Sequence, residues 1–103
     1  MSERHYWTYI VECSDGSFYT GVTNDPHRRA REHNTLHEPS SYTHGRTPVT
    51  LRWCEAFGDV HDAIAAEKRI KGWSRAKKQA LIARDFQALR RLSRGNPPST
   101  SSE

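Results

Sequence analysis

The sequence predicts a single α/β domain of the α+β kind, a three-stranded antiparallel sheet flanked by helices in the order β-β-α-β-α-α. Three observations carry this. Two runs rich in aromatic and β-branched residues, residues 6–13 and 17–23, flank an Asp15-Gly16 turn, and such residues pack well on a half-buried pleated surface. A third run of the same kind spans residues 50–57, TLRWCEAF. Beyond it, apolar residues recur at three- and four-residue steps, the period of a helix with one buried face. A chain of 103 residues has room for one modest core. We place the domain over residues 1–94 and expect 95–103, GNPPSTSSE, to be a disordered polar tail.

The first two strands form a hairpin whose loop length decides which side chains share a face. With Asp15-Gly16 as a two-residue loop, Tyr19 faces Glu12, and Tyr9 and Tyr19 point to opposite faces. With Ser14-Asp15-Gly16 as a three-residue loop and Gly16 left-handed, Cys13 faces Ser17, Tyr19 faces Val11, and both tyrosines share a face. We favour the second, because it alone brings both phenols to one site without a further bulge. Asp25 then caps a helix over 26–34, with Pro26 in its first turn, where a missing N–H costs nothing. Its sequence is too polar for a core, and Arg29 and His33, four residues apart, share a face. Residues 34–49 are a loop broken by Pro39, Gly45 and Pro48. Long loops are often functional, so Tyr42, His44 and Arg46 are either solvated connector residues or contacts to phosphate or base.

In the third strand, Leu51 and Trp53 alternate with Arg52 and Cys54. Gly58 ends it and Asp59 caps a helix over 60–72, in which Ala63, Ala66, Ile70 and Trp73 make an apolar stripe. Glu67 falls inside that stripe. It is either a rim carboxylate paired with Lys71 at i+4, worth about 0.2–0.5 kcal/mol, or an inward-facing metal or phosphate-site ligand. Ser74 caps a last helix over 75–92, with Leu81, Ile82, Phe86, Leu89 and Leu92 on its apolar face.

Charge and composition narrow the function. The chain carries 16 Lys+Arg against 12 Asp+Glu, a net charge of +4, with a pI near 9.4 and a mean hydropathy of −0.92. An anionic partner is favoured. Lys68, Arg69, Lys71, Arg75, Lys77, Lys78 and Arg84 follow one another with no acid between them. A merely solubilising face mixes both signs, so phosphate-backbone binding is the better account, with Lys71, Lys77 and Lys78 as contacts. No apolar run approaches the roughly 18 residues of a membrane span. The first residues lack a signal-peptide layout. Cys13 and Cys54, far apart and outside any C-x-x-C pair, are expected as reduced thiols in a cytoplasmic protein rather than zinc ligands.

The ordered set Tyr9, Tyr19-Thr20-Gly21, Arg29-x-x-x-His33 and a later helical Glu67 resembles the GIY-YIG nuclease superfamily, and within it the small stand-alone bacterial group UPF0213. Trp7-Thr8-Tyr9 stands where the first half of the signature would stand, with only its Tyr matching. Tyr19-Thr20-Gly21 matches the second half. The resemblance covers residues 6 to about 85. It implies an endonuclease that hydrolyses DNA phosphodiesters with Mg²⁺ or Mn²⁺, with Tyr9, Tyr19, Arg29, His33 and Glu67 as catalytic residues, Glu67 holding the metal, and a role in DNA repair or recombination.

The chemistry fits those residue types. Mg²⁺ commonly takes one or two carboxylates, with waters and substrate phosphate completing its shell, so one Glu suffices. Arg29 offers a fork that matches phosphate oxygens, with Arg28 beside it on the same helix. Tyr9 is the candidate to take a proton from the attacking water. Its ordinary pKa near 10 suits neutral pH badly, so nearby cations must lower it. Tyr19 would orient the water or the phosphate, and His33 would hold Tyr9 or a phosphate oxygen, or relay a proton. Two other classes stand beside the solitary nuclease: a nucleic-acid-binding module without catalysis, and a catalytic subunit targeted by a protein partner. Phosphate contacts do not separate DNA from RNA.

Overall fold

The hairpin takes the longer loop. In the computed structural model, Gly16 has φ +85°, Cys13 N donates to Ser17 O at 2.8 Å and Gly16 N to Cys13 O at 2.9 Å. The structure describes residues 5–35 and 45–94; Tyr42, His44 and residues 95–103 lie outside them. The elements are β1 (Tyr6–Glu12), β2 (Phe18–Thr23), α1 (Pro26–Thr35), β3 (Thr50–Phe57), α2 (Val60–Lys71), α3 (Arg75–Ile82) and α4 (Phe86–Arg94). Two compact units divide the chain, one ending at Gly72 and the other starting at Trp73.

The first unit is the sheet, in the order β2-β1-β3 and antiparallel throughout. Tyr19 pairs with Val11 and Gly21 with Tyr9. Residues paired across an antiparallel ladder share a face, so Tyr9, Val11, Tyr19 and Gly21 lie on one side. Tyr9, Val11, Cys13 and Val49 form a buried cluster there, with Tyr19, Leu51 and Cys54 packed against it. Helix α1 covers this side. Asp25 caps it, its carboxylate accepting from Arg28 N at 3.1 Å. The Asn34 side chain pins its last turn to the start of β3, donating to Val49 O at 3.2 Å and accepting from Val49 N at 2.7 Å. Helix α2 covers the other side, capped by Asp59, which accepts from His61 N. There Thr8 Oγ1 donates to Ala63 O at 2.8 Å, and Ala63 and Ile70 are buried.

Strand β3 departs from simple alternation. Ile10 pairs with Trp53 but Val11 pairs with Leu51, leaving Arg52 as an extra residue at a β-bulge. Leu51 therefore lies on the side of Tyr9, and Trp53 on the side of Thr8 and Ile10, rather than both on one face. Arg52 reaches across to Glu12 at 3.5 Å.

In the second unit, the single helix expected over 75–92 is two helices, and the element order becomes β-β-α-β-α-α-α. Ser74 caps α3 by accepting from Lys77 N. The break is a Schellman turn. Arg84 has φ +58°, Arg84 N donates to Leu81 O at 3.0 Å and Asp85 N to Ala80 O at 2.9 Å. Asp85 then starts α4 by accepting from Ala88 N at 3.1 Å. Among the described residues, no helix is long and apolar enough to cross a membrane.

Candidate active site

The side chain at the centre of the site is Tyr9, on the middle strand. Only 1% of Tyr9 is exposed. Its ring lies across Gly21 on β2, so close that a Cβ there would stand 2.6 Å from the phenol oxygen and 2.8 Å from Cζ. Glycine at this register position is therefore what lets the ring lie down on the sheet. Tyr9 Oη is 3.0 Å from Nε2 of His33, which is buried on α1. The Tyr19 ring closes the group, 6.3 Å from the Tyr9 ring and 5.5 Å, edge-on, from the imidazole. Arg29, one turn before His33, brings its positive charge to bear on the Tyr9 phenol.

Burial sets the protonation of this group more than charge does. The Tyr9 pKa is pushed up to about 12, first by burial and then by Tyr19, with Arg29 pulling the other way. The expectation that nearby cations lower it is overturned. Arg29 acts in that direction, but desolvation of a phenolate wins. Burial also lowers the His33 pKa below 6.5, and the neighbouring Arg29 charge adds to the effect. At neutral pH the site therefore holds a neutral phenol against a neutral imidazole.

Arg29 is itself held. Its guanidinium donates to Glu32 at 3.0 Å, and the same carboxylate lies 3.5 Å from Arg28. Sequence reasoning missed Glu32, although its i+3 and i+4 spacing from the two arginines is the ordinary signal for such pairs. Arg28 also donates to Asn24 Oδ1 at 2.6 Å and is exposed on α1.

Glu67 comes from α2, on the other side of the sheet. Its carboxylate, 15% exposed, holds the Lys71 ammonium at 2.7 Å, and that hydrogen bond raises the Lys71 pKa. Lys71 Nζ in turn stands 5.8 Å from the centre of the Tyr19 ring. A contact chain thus runs from Glu67 through Lys71 to the phenols. No group of three or more His, Cys, Asp or Glu side chains able to hold a metal occurs among the described residues. A lone carboxylate already carrying a cation still fits a hard ion that takes its other ligands from water and phosphate.

The remaining candidates belong to other elements. Arg46 donates to Asp15 at 3.1 Å, and its carbonyl accepts from Ser14 N, so it clamps the hairpin tip. Lys77 and Lys78 belong to the second unit, where Lys77 Nζ lies 4.4 Å over the Trp73 ring. Neither Cys13 nor Cys54 is in a disulfide, and burial raises the Cys13 pKa, which suits an inert packing residue.

Known proteins resemble this chain over most of its length. The family model described as the GIY-YIG catalytic domain matches residues 5–80. A UPF0213 protein of Halobacterium salinarum is 53% identical over 74 residues, covering 72% of this chain and 95% of the relative. The UPF0213 protein YazA of Bacillus subtilis is 38% identical over 82 residues, covering 80% and 82%. Among solved structures, protein EF2693 of E. faecalis superposes with a TM-score of 0.55 at 31% identity, covering 84% of this chain and 93% of that one. The UPF0213 protein BH0048 of Bacillus halodurans gives 0.50 at 39% identity, covering 77% and 83%.

Proposed function

Because the chain belongs to the GIY-YIG catalytic-domain family, a nuclease superfamily, we propose that it is a metal-dependent endonuclease that hydrolyses DNA phosphodiester bonds with low intrinsic sequence specificity. The observation that carries the reading is the Tyr9 phenol set against His33 Nε2 at 3.0 Å, with Tyr19 and Arg29 around it. Packing alone does not require an imidazole buried against a buried phenol.

Since Tyr9 is protonated, it cannot act as a base alone. With the proton on Nδ1, neutral His33 accepts from the phenol through Nε2. As the O–H bond of the attacking water breaks, Tyr9 Oη takes that proton and passes its own to Nε2. Tyr9 is then the relay and His33 the sink. Tyr19 orients the water or the phosphate. Arg29, kept in place by Glu32, presents its fork to the phosphate oxygens as charge builds on them. The electron pair of the broken P–O bond leaves on the departing oxygen. Glu67 would hold Mg²⁺ or Mn²⁺, and when bound such an ion supplies neutralisation of phosphate and leaving-oxygen charge. Binding is electrostatic, with Arg28, Lys71, Lys77 and Lys78 as backbone contacts and Tyr42 and Arg46 as further contacts from residues 34–49.

The test is incubation with supercoiled, branched and single-stranded DNA and with RNA, in Mg²⁺, Mn²⁺ or EDTA. Cleavage that needs the ion is the expected result. A protein that binds these substrates and cuts none of them would be a binding module or a subunit awaiting a partner.

A further inference from the structure

The second unit carries a groove that takes no part in the chemistry above. Trp73, Phe86, Leu89, Arg90 and Ser93 line a cavity of about 580 Å³, within the size range of small-molecule pockets. Phe86, the first residue of α4, is 49% exposed. One exposed phenyl ring is ordinary by itself, and its meaning here comes from the ring and charges beside it. Trp73 and Leu89 share the lining with it, and Lys77 Nζ sits 4.4 Å over the Trp73 ring.

Charge identifies what the groove is built to take. Arg75, Lys77, Lys78, Arg84, Arg90 and Arg91 run through α3 and α4, and between residues 73 and 94 the one acid is Asp85, already engaged as the cap of α4. A second copy would bring two strongly basic surfaces together. A duplex would answer the charge but leave the aromatic floor empty, because its bases are stacked inside. An unpaired nucleotide answers both, offering a flat π-face to the aromatic floor and its phosphates to Arg90 in the lining and Lys77 beside Trp73. We propose that the groove between Trp73 and α4 binds an unpaired base of single-stranded or frayed nucleic acid. The proposal rests on the nucleic-acid reading above, but not on cleavage.

Binding in EDTA isolates it. Fluorescence anisotropy would compare a short oligodeoxythymidine, an abasic strand of equal length and a duplex, against wild type, Phe86→Ala, Phe86→Leu and Phe86→Tyr. Thermal melting establishes that each is folded. Phe86→Ala and Phe86→Leu should weaken oligodeoxythymidine binding about ten-fold. Phe86→Tyr should bind like wild type, and the duplex and abasic strands should not distinguish the variants. Should Phe86→Ala not fold, the Leu and Tyr variants still separate stacking from mere apolar contact. Wild-type protein that binds thymidine and abasic strands equally overturns the proposal, as does a Leu variant that binds like wild type. So does a Phe86-dependent dimer in sedimentation, or Phe86-dependent binding to phosphatidylserine vesicles with oligonucleotide binding unmoved. Loss of cleavage on every substrate would sink the nuclease reading and leave this one standing.

Discussion

Gly21→Ala tests whether the Tyr9 ring lies where the site needs it. Alanine suits an extended strand, and at an ordinary position it gains roughly 0.5–1 kcal/mol over glycine. Here the new methyl would meet Tyr9 Oη at 2.6 Å, Cζ at 2.8 Å and Cε2 at 3.0 Å. A free side-chain end would swing away, but Tyr9 is 1% exposed and tied to His33. Overpacking of this kind costs about 1–3 kcal/mol. The expected net is a loss of about 1 kcal/mol, a fall in Tm of roughly 4–8 °C for a domain of this size, together with reduced cleavage. A double-mutant cycle gives the sharper reading. In a Tyr9→Phe background the penalty should persist, because Cζ and Cε2 remain. In a Tyr9→Leu background it should disappear and alanine should become neutral or stabilising. Chemical denaturation of the four proteins decides. A Gly21→Ala protein as stable as wild type, or a penalty indifferent to residue 9, would refute the account of how the ring is placed.

Glu67→Gln should abolish ion-dependent cleavage while leaving DNA binding intact or slightly stronger in a gel-shift assay, since it removes charge and keeps size; equal cleavage would return Glu67 to a structural pair with Lys71. Cleavage should have an acid limb below pH 6.5, because the relay needs neutral His33 and the His33 pKa is lowered; a pH–rate profile reads it, and His33→Ala should remove the limb along with most activity. Stability has the same sign at that end. The unfolded chain takes up the His33 proton first, so the contribution is whole above about pH 6.5 and is lost as pH falls through the folded-state value. Tyr9 works from the other side. Its raised pKa favours the phenol in the folded state, so stability is whole below pH 10 and is lost as pH rises towards 12, by on the order of 3 kcal/mol; urea midpoints of wild type and Tyr9→Phe should converge over that window. Neutralising Lys71, Lys77 and Lys78 together should weaken DNA binding and flatten its salt dependence; an unchanged slope would make the run a solvated face.

Local chemistry was the legible part of this fold. Asp25, Asp59 and Ser74 cap the helices they were expected to cap, and Gly16 turns the hairpin with both tyrosines on one face. The break between α3 and α4 escaped because the left-handed position is filled by Arg84, not glycine; Asp85, a good cap, was the available signal and lay inside an otherwise unbroken apolar period. Nothing in TLRWCEAF marks Arg52 as the bulged residue, since a bulge is fixed by the partner strand as much as by its own. At the site, residue types and helical spacing pointed to Arg29 and His33, whereas the direction of the Tyr9 pKa depends on how deeply the ring is covered, which no spacing reveals. Of the two roles open to Glu67, the pairing with Lys71 is the one the structure displays, and Lys71 in turn lies beside the Tyr19 ring.

The bulge at Arg52 also says where this chain can change length. In a regular strand, losing one residue exchanges the faces of everything on one side of the loss. On β3, Leu51 already answers Val11 and Trp53 already answers Ile10, with Arg52 outside the ladder between them. Deleting Arg52 would leave every pairing as it stands and cost mainly the ion pair to Glu12. Deleting Cys54, two positions on, would turn Trp53 to the face of Tyr9 and put an indole where the smaller Cys54 side chain now packs against the buried cluster. One strand thus holds, two residues apart, a position where the chain can shorten without consequence for the site and one where it cannot.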